Sequence, residues 1–268
     1  GNVRRNRLSD FKNVRSSGLI AMKLDEGDLL IGVRTCAEGD DLLLATRQGR
    51  CIRFRVDVDT LRVFAGRESS GVRGIRLLNG DSVIALTVLR HTGASVEERN
   101  AYLRHAAAKR RINGEDGVDP SVDVVADVST DAAEEGAEEE GGITAEVAVE
   151  RLSELEAIEE VLLTVTDGGF GKRSSAYEYR VTGRGGQGFA NITLSPRTGR
   201  EVVATFAVHP GDDVMLVTDG GRLIRAPADQ IRVTGRAAMG VRLMGLDEGE
   251  RITSCFPVFD DNEEAEEA

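Results

Sequence analysis

Residues 69–77 read Ser69-Ser70-Gly71-Val72-Arg73-Gly74-Ile75-Arg76-Leu77, and the pattern stands three more times in the chain. The counterparts are Ser16-Ser17-Gly18-Leu19-Ile20-Ala21-Met22-Lys23-Leu24, Gly186-Gln187-Gly188-Phe189-Ala190-Asn191-Ile192-Thr193-Leu194 and Ala238-Met239-Gly240-Val241-Arg242-Leu243-Met244-Gly245-Leu246. Their central glycines are 53, 117 and 52 residues apart. The long interval is one repeat plus an insertion of about 65 residues. A period near fifty residues marks an array of like units.

Each unit keeps one internal order. A short apolar run (Leu42 to Thr46, Val161 to Thr166, Val214 to Thr218) meets a turn ending in Gly49, Gly169 or Gly221. A second strand follows, with Arg53, Arg173 or Arg225 four places after that glycine. The first unit holds only this second half, from Gly1 and Arg5 onward, so further units are expected ahead of it. A loop then carries Arg15, Arg67, Arg184 or Arg236 just before the central glycine, and the third strand starts after it. A Gly-bearing turn leads to a fourth, almost continuously apolar strand: Leu29 to Val33, Val83 to Leu89, Val202 to Val208, Ile252 to Val258. A continuous apolar strand belongs where both faces are buried, so the fourth strands are expected between neighbouring units. Four short strands per unit, joined by glycine turns, predict an all-β propeller-like array of about three and a half four-stranded blades. A β-sandwich lacks such a period, and helical repeats need a 3.6-residue periodicity that is absent.

Charge divides the chain the same way. The net charge of −12 is the sum of a basic segment at 1–93 (+5), an acidic insertion at 94–158 (−11), a neutral segment at 159–258 and an acidic tail at 259–268 (−6). The blades are therefore expected at 1–93 and 159–258. In the insertion, Ser95-Val96-Glu97-Glu98 fits a capping box that opens a helix to about Ile112, and residues 145–160 have helical spacing. Residues 113–143 and the tail have too few large apolar side chains to fold alone and are expected to be disordered. They read either as solvated spacers or as competitors of an anionic partner for the basic surface.

Little in the chain points to catalysis. Cys36, Cys51 and Cys255 form no C-x-x-C pair and read as small apolar residues of a reducing compartment. His91, His105 and His209 are scattered. Tyr177 and Tyr179 read as packing at a blade surface, and the pairs Asp40-Asp41 and Asp212-Asp213 as solvated loop residues. No phosphate-binding P-loop, zinc signature or nucleophile–base order is present, and no apolar run nears the ~18 residues of a membrane span. What recurs is arginine beside glycine, most densely in Gly183-Arg184-Gly185-Gly186-Gln187-Gly188. Glycine loops expose backbone N–H groups, and guanidinium adds a bidentate donor for phosphate. A single arginine is ordinarily a solubilising charge, but four at one loop position place cations at regular intervals. That suits a regularly charged polymer such as duplex DNA, read through phosphates without regard to sequence. The candidate DNA-contacting set is Arg5, Arg15, Arg53, Arg67, Arg73, Arg76, Arg173, Arg184, Gly185, Gly186, Arg225 and Arg236.

These residues resemble a known family, the C-terminal domain of the bacterial DNA gyrase A protein. Gly18 to Ile31, Ser69 to Leu77 with Gly80-Asp81, and Thr218 to Arg225 carry the likeness, which spans most of 1–93 and 159–258. The resemblance implies a β-pinwheel in which neighbouring blades exchange strands, and DNA wrapping around a basic perimeter in support of ATP-dependent supercoiling. It implies an A2B2 holoenzyme with the gyrase A breakage domain and gyrase B, a cytoplasmic location, and ATP and magnesium bound elsewhere in that assembly. The chain itself is expected to hold no cofactor and to be inactive alone. The family's seven-residue box, Gln-(Arg/Lys)-Arg-Gly-Gly-Lys-Gly, belongs to its first blade. Thr182 to Gly188 matches that box at Arg184, Gly185, Gly186 and Gly188, with Gln187 in place of lysine. The alternatives are the matching C-terminal domain of topoisomerase IV and a protein-interaction propeller, which would carry an apolar patch on a flat face.

Overall fold

The computed structural model describes residues 1–14, 16–114 and 147–258. The chain forms two compact units, one of Gly1–His91 with the residues from Glu160 onward, the other of Thr92–Glu159. Arg15, most of the segment expected to be disordered and the acidic tail lie outside the described residues.

The larger unit is built of antiparallel blades. The second blade holds β2 (Asp41–Thr46), β3 (Arg50–Arg55) and β5 (Val83–Leu89). The third holds β6 (Val161–Thr166), β7 (Phe170–Ser175) and β9 (Val202–Val208), and the fourth β10 (Asp213–Thr218), β11 (Leu223–Pro227) and β13 (Ile252–Val258). Each sheet runs fourth strand, first strand, second strand. The outer place beyond the second strand is filled from the next repeat. β8 (Phe189–Ala190) completes the second blade on β3, β12 (Val241–Arg242) completes the third on β7, and β4 (Val72–Arg73) pairs with β1 (Asn2–Val3) of the first. The third strand of the second, third and fourth repeats is thus given to the preceding blade, while the stretch after Gly18, expected as the first repeat's third strand, forms none.

The central glycine makes that exchange sterically possible. A Cβ on Gly71 would lie 2.2 Å from the Val3 carbonyl oxygen, and one on Gly188 2.1 Å from that of Cys51. On Gly240 it would lie 2.5 Å from the Gly171 oxygen. All three have positive φ, which only glycine adopts without strain. The turn glycines face the other side of the same joints, Gly49 against Ile192 and Gly169 against Met244. The two ends of the array lack this packing: nothing lies within 4 Å of a Cβ on Gly18 or Gly221.

Cores form between successive sheets. Side chains alternate along a strand, so Leu42 and Leu44 of β2 enter one cluster with Val3, Ile52, Phe54 and Ile75. Leu43 and Ala45 enter the next with Leu89, Leu162, Tyr179 and Phe189. A third cluster joins Leu163, Val165, Val214, Leu216, Met244 and Ile252. The strand buried on both faces is therefore the first of the second and third blades; all six residues of β2 and the last five of β6 are buried, whereas β10 alternates between buried and half-buried. The fourth strand, expected in that role, is the inner edge. Its apolar side chains meet their counterparts in neighbouring blades, β5 on β9 and β9 on β13.

Two further expectations are corrected. Leu29 to Val33 forms no strand, and Leu29 is 79% exposed. The fourth strand pairs with the first strand of its own repeat in the second and third blades, and among the described residues Leu29 to Val33 has no such pairing. Tyr177 and Tyr179 are buried in a short 3-10 turn, not spread on a blade surface, and Tyr179 donates its hydroxyl to Asn191 Oδ1 at 2.9 Å.

The smaller unit is a helical hairpin of α1 (Val96–Ile112) and α2 (Val149–Ala157). Ser95 caps α1 through the Glu98 N–H, and Glu98 returns a carboxylate to the Ser95 N–H, the reciprocal box read from the sequence. Tyr102, Ala106 and Leu155 are buried.

Candidate nucleic-acid interface

The arginine four places after each turn glycine is a structural clasp. Arg53 is 4% exposed and its guanidinium is fully engaged. Nε and Nη2 donate to Asp41 at 2.9 and 2.7 Å, and Nη1 donates to the carbonyls of Ala176 and Tyr179 in the next repeat. Arg173 makes the same reach, from Nε to the Ile231 carbonyl at 2.6 Å and from Nη1 to Asp229 at 2.9 Å. Arg5 is 9% exposed and pairs with Glu38 at 2.7 Å. Arg225 is exposed, but its Nε meets Asp213 at 2.5 Å. Backbone bridges Arg5–Val63, Arg53–Val181 and Arg173–Val233 repeat the contact. Arg53 and Arg173 therefore recur because their joints use the same donor, whereas Arg5 shares the backbone bridge but its Nε and Nη2 are buried without an acceptor. Burial of Arg5 and Arg53 and the bonds of Arg173 withdraw all three from the phosphate-contacting set. Asp41, read as a solvated loop residue, is fully buried as the acceptor of Arg53 and of His91 Nδ1 at 3.0 Å.

The glycine-rich loop has a related role. The Gly185 N–H donates to the Gly74 carbonyl at 2.6 Å, and the Gly186 carbonyl accepts from the Arg76 N–H at 2.8 Å. These bonds dock one repeat on another and take the Gly185 N–H out of the proposed anion cradle, while at Gly186 only the carbonyl is engaged. The docking does gather side chains. Arg184 donates to the carbonyls of Thr60 and Arg73 at 2.5 and 3.1 Å, which fixes its guanidinium beside β4, with Arg76 three residues beyond Arg73. All three are exposed. Arg67 is half-buried in a surface recess with Lys12, Asp10 and Glu68. Arg15 lies outside the described residues.

Arg236 is half-buried, with its guanidinium 4.7 Å from the Phe189 ring centre. Arg180 lies over the same ring at 5.5 Å. Arg242 lies over Phe170 at 5.7 Å, and Arg62 over Phe64 at 4.7 Å. Arg62, Arg180 and Arg242 are exposed and were not singled out in the sequence. The signal available for Arg242 was its place two residues after the central glycine, the same as Arg73; the pairing of Arg242 with Phe170 follows from strand exchange. Stacking of this kind is worth roughly 0.5–1 kcal/mol at exposed sites and holds a guanidinium ready for an acceptor.

Beneath Arg236 sits Lys172, fully buried. Its Nζ donates to Ser174 Oγ and the Gly235 carbonyl, both at 3.0 Å, and to the Arg236 carbonyl. The Ser174 hydroxyl proton goes to the Thr234 carbonyl, so all three acceptors call for the ammonium form. Burial opposes this and lowers the amine to about 7 from 10.5, against the pull of the Glu178 carboxylate. Between pH 7 and 10.5 the unfolded chain thus holds a proton that the folded chain has released, and this group's contribution to stability rises with pH across that window. Urea titrations at several pH values in that window should show wild type gaining about 1 kcal/mol per pH unit relative to Lys172→Met. A parallel pH dependence of the two proteins would refute it.

Among the described residues no group of three or more His, Cys, Asp or Glu is placed to hold a metal, and no helix is long and apolar enough to cross a membrane.

Comparison with known proteins returns one consistent picture. A family model described as DNA gyrase C-terminal domain, beta-propeller matches residues 1–37, 40–90, 160–208 and 212–258, the blade segments. The DNA gyrase A protein of Granulibacter bethesdensis is 63% identical over 265 residues, and that of Rickettsia bellii 43% over 272. These alignments cover 97% and 100% of this chain but 27% of each relative. Among solved structures, a DNA gyrase A C-terminal domain is similar with a TM-score of 0.62 at 18% identity, covering 97% of this chain and 63% of that one. The C-terminal domain of a DNA topoisomerase IV is similar at 0.64 and 16% identity, covering 96% and 59%. At such identities the likeness concerns the fold alone.

Proposed function

The chain belongs to the DNA gyrase C-terminal domain family, and from that premise we propose that it binds duplex DNA through phosphates and bends it across successive blade joints. In the whole enzyme this wrap would present DNA to the breakage domain and to gyrase B, biasing ATP-dependent strand passage toward negative supercoils. The observation that carries the reading is three exposed arginines brought to one place where the second and third repeats dock: Arg184 bonds the Arg73 carbonyl, and the Arg76 N–H bonds the Gly186 carbonyl. Arg180, Arg236 and Arg242, stacked on Phe189 and Phe170, supply cations at the following joint. The spacing is set by the repeat and the donors are long side chains, so the contact is with the backbone of DNA and not with base edges. Low aromatic content, 4%, argues against a stacking platform for single strands.

Binding of random-sequence duplex as a function of salt tests this. With about four to six phosphates neutralised, log K against log salt should have a slope of roughly −4 to −5, alike for unrelated sequences. Replacing Arg73, Arg76 and Arg184 together by alanine should make the slope shallower by about 3. Salt-independent binding, or a strong preference for one sequence, would defeat the reading.

A further inference from the structure

The helical unit adds no strand to the blades, yet its longer helix has a charge pattern of its own. The sixteen residues from Arg99 to Gly114 contain five lysines and arginines and no acidic residue. One side of α1 is occupied within the hairpin. Tyr102 and Ala106 are buried, the Tyr102 hydroxyl donates to Glu159 at 2.8 Å, Arg151 bonds Glu98 at 2.8 Å, and Lys109 pairs with Glu156. On the other side Asn100, Arg104, Ala108 and Arg111 follow one another at helical spacing as an exposed stripe, with His105 beside it. Arg104 and Arg111 have no ion-pair partner among the described residues. The helix dipole accounts for cations in the last turn, Lys109 to Arg111. It does not account for Arg104 in the middle of the helix, where a merely solvated face would ordinarily mix signs for i,i+4 support.

We propose that the exposed stripe of α1 is a second duplex-DNA contact, with Arg104 and Arg111 donating to phosphates of DNA held by the blades. The inference rests on the DNA-binding reading above. The two arginines are seven residues apart, about 10 Å of helix rise at 1.5 Å per residue. Three base-pair steps of about 3.4 Å rise the same distance along the duplex axis. The helix belongs to the same chain as the blades, so its engagement is intramolecular and adds to affinity without a second encounter.

The experiment compares the full chain with Arg104→Ala/Arg111→Ala and with Arg104→Lys/Arg111→Lys on random-sequence duplex DNA over a salt series. Both substituted positions lie outside the hairpin's ion pairs, and far-UV circular dichroism verifies that the helices persist. The alanine pair should make the log–log slope shallower by about 2 and weaken binding at least ten-fold at low salt. The lysine pair should keep the wild-type slope. Wild-type binding with an unchanged slope in the alanine pair overturns the inference and leaves the blade reading standing. Tighter binding by the alanine pair also overturns it, because the stripe would then be engaging acidic residues of the protein. No binding by the unaltered chain overturns both.

Discussion

Gly188→Ala is expected to unseat β8 from the second blade and to lower the melting temperature by about 10 °C or more. The new Cβ would stand 2.1 Å from the Cys51 carbonyl oxygen and 2.8 Å from its carbon, and both are backbone of β3, which cannot swing aside like a side chain. The φ of +69° adds strain of roughly 1–2 kcal/mol for any L side chain. Together these place the loss at about 3–5 kcal/mol, in the range of overpacking joined to backbone strain. The chain contains its own control. Gly18 stands at the same place in its repeat with φ +80°, but nothing lies within 4 Å of its Cβ. Gly18→Ala should therefore show the strain alone, about 1 kcal/mol. Equal losses at the two sites, read by thermal or urea unfolding, would mean that the central glycine serves only the turn and not the exchanged strand.

Arg53→Met should be nearly as severe, at about 3–5 kcal/mol. It removes the guanidinium from Asp41, whose side chain is wholly buried, and frees the Ala176 and Tyr179 carbonyls. His91 Nδ1 remains beside Asp41 at 3.0 Å, a single nitrogen in place of the two that Arg53 brings to this carboxylate. The damage lies mainly in the stranded carboxylate, so Arg53→Met/Asp41→Leu should recover much of the loss. Arg173→Met offers the contrast. Val161 stands where the second blade has Asp41, and the acid that Arg173 meets, Asp229, is 51% exposed. Its loss should be nearer 1 kcal/mol. A double mutant no more stable than Arg53→Met would show that the arginine acts through the inter-repeat carbonyls and not through Asp41.

The strands were legible where a run of apolar residues met a turn glycine inside one repeat. Val161–Thr166, Val83–Leu89, Val202–Val208 and Ile252–Val258 fall on the residues expected. Leu29 to Val33 has the same apolar pattern but pairs with no strand among the described residues, because an apolar run records that a segment can be buried and not which strand it pairs with. Sequence also placed the fourth strand in the core, since an inner edge lined by other blades looks as apolar as a strand between two sheets. The arginines were the least legible. A cation that repeats every fifty residues reads the same whether each joint or a long polyanion requires it. Only burial separates Arg53, 4% exposed, from Arg184 on the surface. Asp41 and Asp213 hold matching positions, one wholly buried and the other partly open, for the same reason. Arg62 and Arg180 were missed because their stacking on Phe64 and Phe189 follows from tertiary contact and leaves no spacing signal.

Strand exchange also sets the order in which the protein can be completed on the ribosome. The first three blades do not close with their own residues; each waits for a strand translated one repeat later. For the third blade the wait from β9 to β12 is 33 residues, Val208 to Val241. For the second it is 100, Leu89 to Phe189, because the helical unit and its acidic segment are synthesised in between. At about 5–20 residues per second these intervals are roughly 2–7 s and 5–20 s. During the longer one β3 presents an unpaired edge, a template for any other nascent strand. The helical insertion thus triples the time for which the second blade is open to mispairing, and the stretch made in that interval carries twelve acidic residues and no basic one between 115 and 146, a charge that repels like chains.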